Sequence, residues 1–217
     1  MFKKNLVIIT TTLVLAVGIV VFAMRNRSGQ SSDISATLNP TPVAEVNPDT
    51  LHGMQISQNI PWDIQTATLR DRLKAIGLPA LKYEGTALHI HQHLNLFIHG
   101  KNMQIPPEIG INEGEFFISP IHTHDTSGVM HIESPVVQDF TLGQFFDIWG
   151  VKLTKECVGG FCTEGDGKLR VYANGSEVTD NPRNLKLESH QEIVVIYGNE
   201  LELPSPIPTQ YTFPEGL

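Results

Sequence analysis

Hydrophobic positions along this chain change period several times, and each change marks an element. From Leu88 to His99, apolar residues alternate with polar ones. Leu88, Ile90, Gln92, Leu94, Leu96 and Ile98 take one parity, and His89, His91, His93, Asn95, Phe97 and His99 the other. Period two marks a strand with one face toward a core, which puts the imidazoles together on the opposite face. Gly100-Lys101 is expected to turn the chain into a return strand from Met103 to Ile105, ended by Pro106-Pro107.

A second hairpin is expected from Ile118 to His124, with Asp125-Thr126-Ser127-Gly128 as the turn and Val129 to Ser134 as the return. With Thr126-Ser127 at the centre, Ile121 falls opposite Ile132, His122 opposite His131 and Thr123 opposite Met130. That register gathers Ile121, Met130 and Ile132 on one face and His122, His124, His131 and Glu133 on the other. A slip of one residue would scramble both faces, so the apolar sorting supports the pairing by itself.

Two stretches read as helices. Thr68 is followed three residues on by Asp71, and Leu69, Leu73 and Ile76 share a face before Gly77 and Pro79 end the helix. Thr141 and Gln144 form a capping-box pattern, Phe140 and Phe145 can form the hydrophobic staple, and Gly150 closes the C-terminus. Farther on, Leu169 to Ala173 before Asn174-Gly175 is a hairpin signal. Glu192 to Tyr197 contains the continuous apolar run Ile193-Val194-Val195-Ile196 of a buried strand. The proline-rich tail from Leu203 to Pro214 is expected either to run extended over the domain or to hang free. The fold class is therefore α+β: antiparallel hairpins in a β-rich domain with two covering helices, preceded by a transmembrane helix.

That first helix is Leu6 to Met24, 19 residues without a charge between Lys3-Lys4 and Arg25-Arg27. It is long enough to cross a hydrocarbon core of about 30 Å. The chain divides into an anchor or signal segment at 1–27, a flexible tether rich in Ser, Asn, Pro and Thr at 28–60, and a histidine-bearing domain at 61–217. An echo between Leu94–Gly100 and Leu169–Gly175 raises an alternative division of that domain into two similar halves, with a boundary near 135–165. The apolar run exceeds most signal-peptide cores, which favours a retained anchor; cleavage after Val21-Phe22-Ala23 would instead release a secreted protein.

Charge and cysteine content narrow the setting. The 217 residues carry a net charge of -8, and four of the 15 basic residues lie in the first 27, leaving 11 against 23 acidic residues. A surface of that sign repels nucleic-acid phosphates, and no basic stripe offsets it, so nucleic acid is not an expected partner. The two cysteines, Cys157 and Cys162, enclose Val-Gly-Gly-Phe, a loop tight enough to bring the sulfurs together. A disulfide fits an oxidising compartment, with the domain outside the cytoplasm; two unrelated thiols are the alternative.

Seven of the nine histidines lie between His89 and His131. Neutral imidazole is a ligand for zinc and copper, and two histidines at i and i+2 of a strand, about 7 Å apart, can reach one ion. The candidate metal ligands are His89, His91, His93, His122, His124, His131 and Glu133. The 89-91-93 set spans too far for one ion, so two of its members are expected to bind and the third to support them, unless two ions are present. The ion is expected to be copper or zinc, with copper ahead on affinity. A pH-sensitive polar network without metal is the alternative. His52 and His190 read as surface residues.

Short motifs resemble known families. His89-Ile-His91-Gln-His93-Leu is similar to the histidine-triad motif of nucleotide hydrolases, with Gln92 departing from its apolar pattern. His122-Thr-His124 resembles the two-histidine strand of cupins, without the glutamate expected four or five residues on. Followed by Asp125, the same pair resembles metallohydrolase motifs, with the aspartate one position early for the metallo-β-lactamase pattern. Each likeness covers a single stretch, and none assigns a family. For catalysis the available carboxylates are Glu133, as ligand or general base, and Asp125, whose simpler role is to cap its turn. Without a signature nucleophile, metal handling ranks ahead of a metal-dependent hydrolase or oxidoreductase.

Overall fold

The computed structural model describes residues 46–217, so the apolar segment Leu6 to Met24 and most of the expected tether lie outside it. The described chain has strands β1 (Leu88–Ile98), β2 (Lys101–Met103), β3 (Ile111–Asn112), β4 (Phe117–Ile118), β5 (Ile121–His122) and β6 (Val129–Ser134). It continues through β7 (Cys157–Val158), β8 (Phe161–Cys162), β9 (Lys168–Ala173), β10 (Ser176–Glu177) and β11 (Gln191–Gly198). Two helices, α1 (Leu69–Ala75) and α2 (Leu142–Trp149), complete a mixed α+β architecture. No helix among the described residues is long and apolar enough to cross a membrane.

Seven strands form one sheet in the order β10-β9-β11-β1-β6-β5, with β2 also paired to β1. The hairpins β1-β2 and β9-β10, which carry the echoing sequences, thus belong to the same sheet. Strand β1 is its axis. Leu88 to His93 pairs antiparallel with β6, and Leu96 to Ile98 pairs antiparallel with β2.

Its other edge corrects the expectation of antiparallel hairpins throughout, because β1 and β11 run parallel, from Gln92↔Gln191 to Ile98↔Tyr197. A parallel pair needs a long connection and cover on both faces, and every residue of β11 is buried. That is why β11 reads as an unbroken apolar run where β1 alternates.

Two further details differ from the sequence reading. The β1-β2 turn is centred on His99-Gly100, both in the left-handed region, one position earlier than expected. The expected strand from Ile118 to His124 is split between β4 and β5 by Ser119-Pro120, since proline supplies no N–H to a ladder. The register survives this interruption: Ile121 pairs with Ile132 and His122 with His131.

Beneath the apolar face lie Ile121, Met130 and Ile132, all fully buried, with α2 packed on β5. Thr141 and Gln144 close the expected capping box on α2, and Gly150 at φ 80° ends the helix. Arg72 of α1 donates from Nε to the Asp147 carbonyl (2.7 Å) and from Nη2 to the Ile148 carbonyl (2.9 Å), satisfying the last carbonyls of α2 with a cation. Asp147 in turn receives both guanidinium ends of Arg183, at 3.0 and 2.7 Å. On the N-terminal side, Leu51 is buried and Gln55 bridges Val151, so the stretch from Val46 onward lies against the domain. A disulfide joins Cys157 to Cys162 across the β7-β8 pair.

Candidate metal centre

Backbone register alone brings the histidines of three strands into rows. His91 pairs with His131, and His131 with His122, making one row across β1, β6 and β5. The adjacent row pairs His89 with Glu133. Directly opposed residues of antiparallel strands have Cβ atoms about 4.5–5.5 Å apart, close enough for rings to converge. His124, just past the end of β5, folds its ring against that of His131 at a centroid separation of 4.6 Å.

Two overlapping quartets result. His89, His91, His131 and Glu133 bring one donor atom each to within 4.8 Å of one another, and so do His122, His124, His131 and Glu133. Within the first, His89 Nε2 lies 3.2 Å from His91 Nε2 and 3.2 Å from Glu133 Oε1. His131 Nδ1 stands 3.3 Å from that same oxygen. Within the second, His122 Nε2 and His124 Nε2 are 3.1 Å apart. A tetrahedral ion with ligands at about 2.0–2.1 Å has donor-to-donor edges of about 3.3–3.4 Å, so these spacings match the edges of such a site.

His122 shows how the surroundings orient a donor. Its Nδ1 lies 3.0 Å from the Ser119 carbonyl, which can only accept, so Nδ1 carries the proton and Nε2 keeps its lone pair. Burial, with a smaller contribution from His124, lowers its pKa to about 3. Burial likewise lowers His131 to about 4, helped by His124 and His91, and lowers His91, where His89 adds to the effect. These three rings are therefore neutral near pH 7, the form that binds metal.

Glu133 shifts the other way. Burial first, and then the neighbouring Glu84, raise its carboxyl to about 7. Glu84 also lies 3.5 Å from His124 Nε2, beside the second quartet. No periodicity or motif points to Glu84, which sits in the loop before β1, and only the folded chain delivers it here.

His93 stands apart from both quartets. Its Nδ1 faces Glu192 Oε2 at 2.7 Å and its Nε2 faces the Ser127 carbonyl at 3.0 Å, so both nitrogens already have oxygen partners. Tyr211 of the C-terminal tail stacks on the ring, 3.8 Å between centroids with planes 8° apart. The tail thus runs over the domain, and Phe213 stacks on His190 in the same way. Glu192, fully buried, also accepts from Asn95 Nδ2 at 2.7 Å. The sequence offers one signal for it, a carboxylate at the head of an apolar strand.

Asp125 accepts from the Ser127 backbone N–H at 2.8 Å, which caps the turn, and hydrogen bonds from the Ser127 side chain and then from that N–H lower the aspartate pKa. His52 is exposed near Asp71, and His99 pairs with Glu202 at 3.1 Å. No protein-family model, curated protein or solved structure matches this chain.

Proposed function

We propose that this is a membrane-tethered metal-binding protein whose domain lies outside the cytoplasm and holds copper or zinc through the histidine cluster. The observation that carries the reading is the set of donor spacings of 3.1–3.3 Å among His89, His91, His122, His124, His131 and Glu133. Imidazole and carboxylate suit both ions, and at equal availability copper(II) binds more tightly. The charge-free run from Leu6 to Met24 supports the tether, and the disulfide agrees with an oxidising compartment.

Elemental analysis of the untagged full chain after metal-replete refolding tests this. Stoichiometric copper or zinc is expected, and sub-stoichiometric content of both overturns the reading. Membrane fractionation and protease accessibility in intact cells test the tether and its side.

A second reading, metal-dependent hydrolysis or oxidoreduction, is favoured by one observation. A carboxyl raised to about 7 at Glu133, beside the donors, falls in the range of a general base. Turnover of phosphoester, ester or redox substrates that vanishes in His122→Ala and His124→Ala would place this reading first.

A further inference from the structure

We infer that the cluster holds two ions that share Glu133 as a bridging carboxylate; this rests on the metal-binding reading above and adds to it the number of ions and the division of the donors. One tetrahedral ion takes four donors, whereas here six residues form two quartets. His89 and His91 belong only to the first quartet, and His122 and His124 only to the second. A single four-coordinate ion would occupy one quartet and leave two of the six residues unused.

The orientation of Glu133 divides the ligands. Its Oε1 faces both His89 Nε2 (3.2 Å) and His131 Nδ1 (3.3 Å), which assigns that oxygen, with His91, to the first ion. The other carboxylate oxygen is left for the second ion, held by His122 and His124. With His131 given to the first ion, Glu84, which lies outside both quartets but 3.5 Å from His124 Nε2 and beside Glu133, takes the fourth place at the second. Each ion then has three donors of its own and one oxygen of Glu133. Paired ions in proteins stand about 3.5–4 Å apart, a separation that one carboxylate spans. Asp125, which interacts with His124 and His131, adds a third carboxylate to offset the charge of two dications.

The test is a titration of the untagged, chelator-stripped full chain in detergent with copper(II), and separately with zinc, read by elemental analysis after desalting. Two ions per chain are expected. In the copper form, the integrated electron paramagnetic resonance signal should fall well below two spins, because carboxylate-bridged copper(II) ions couple. His89→Ala and His124→Ala remove rings whose side chains are 54% and 43% exposed, so neither opens a buried gap. Each variant should keep one ion with one full spin.

Saturation of the wild type at one ion per chain overturns the paired centre while leaving metal binding intact. Two ions with two full spins overturn the shared carboxylate. Either variant retaining two ions places the donors elsewhere and overturns the assignment. Binding of neither metal removes this inference and the function it rests on together.

Discussion

His131 stands directly opposite His122 across β5 and β6, their rings stacked 5.4 Å apart with planes 14° from parallel. On its other side the same residue stands opposite His91, with ring centroids 4.6 Å apart. His131 is thus the middle of the row and belongs to both quartets.

Removing His131 takes a donor from the first ion and a neighbour from the shared Glu133, so it should weaken metal binding more than removing a peripheral donor such as His89. Loss of a partner that merely orients a ligand typically costs about 10–100-fold in affinity. His131→Ala is expected to exceed that range, and His93→Ala, which removes a ring outside both quartets whose nitrogens face Glu192 and Ser127, to leave affinity nearly unchanged. Competition against a chromophoric chelator measures both, and equal losses would count against the assignment.

Metal affinity should depend on pH through the Glu133 carboxylate more than through His122 or His131. His122 and His131, lowered to about 3 and 4, do not compete for protons with an ion above pH 5, whereas Glu133, raised to about 7, must lose its proton to bind. Affinity is expected to fall as pH drops below 7. Glu84→Gln removes the neighbouring carboxylate, which weakens the second ion's site at every pH and should shift the midpoint of that fall to lower pH. Chelator competition between pH 5 and 8 reads the midpoint, and no shift in the variant would argue against coupling between the two carboxyls.

Without metal, the same groups set opposing pH dependences of stability. His122 and His131 have folded pKa values below their unfolded value of about 6.5, so their contribution is complete above that pH and is lost as pH falls toward 4. Glu133 is raised from 4.5 to about 7, so its contribution is complete below 4.5 and is lost as pH rises to 7. Between pH 6.5 and 4.5 the two histidines, joined by the lowered His91, take up more protons on unfolding than Glu133 releases. The metal-free domain should therefore lose stability on acidification through this window. Urea midpoints at pH 6.5 and 4.5 give the sign.

Gln92 marks a place where the fold can be made more stable. It is fully buried, with both side-chain polar atoms lacking partners among the described residues, at the parity shared by Leu94 and Leu96. An unsatisfied buried amide costs about 1–3 kcal/mol, so Gln92→Met, similar in volume and apolar, should stabilise the domain by roughly that amount. Metal stoichiometry should not change, since the neighbouring rings of His91 and His93 point to the other face. A destabilised variant in chemical denaturation would show that the amide has a partner the fold requires.

Local chemistry determined much of this protein in advance. The alternation of β1, the capping box at Thr141 and Gln144, the Asn174-Gly175 hairpin and the register of His122 against His131 each depend on residues a few positions apart. A period-two pattern also fixes which side chains share a face, so the histidine surface was legible before any fold. Tertiary structure decided the rest, because it joined segments far apart in the chain. The parallel pairing of β1 with β11 set Glu192 beside His93 and the C-terminal tail stacked Tyr211 on it, so both its nitrogens face oxygen partners, although its spacing is identical to that of His89 and His91. The loop before β1 brought in Glu84, whose proximity to Glu133 no sequence interval encodes. Sequence assigned the imidazoles to a face, and the packing of distant segments decided which of them keep a lone pair free for an ion.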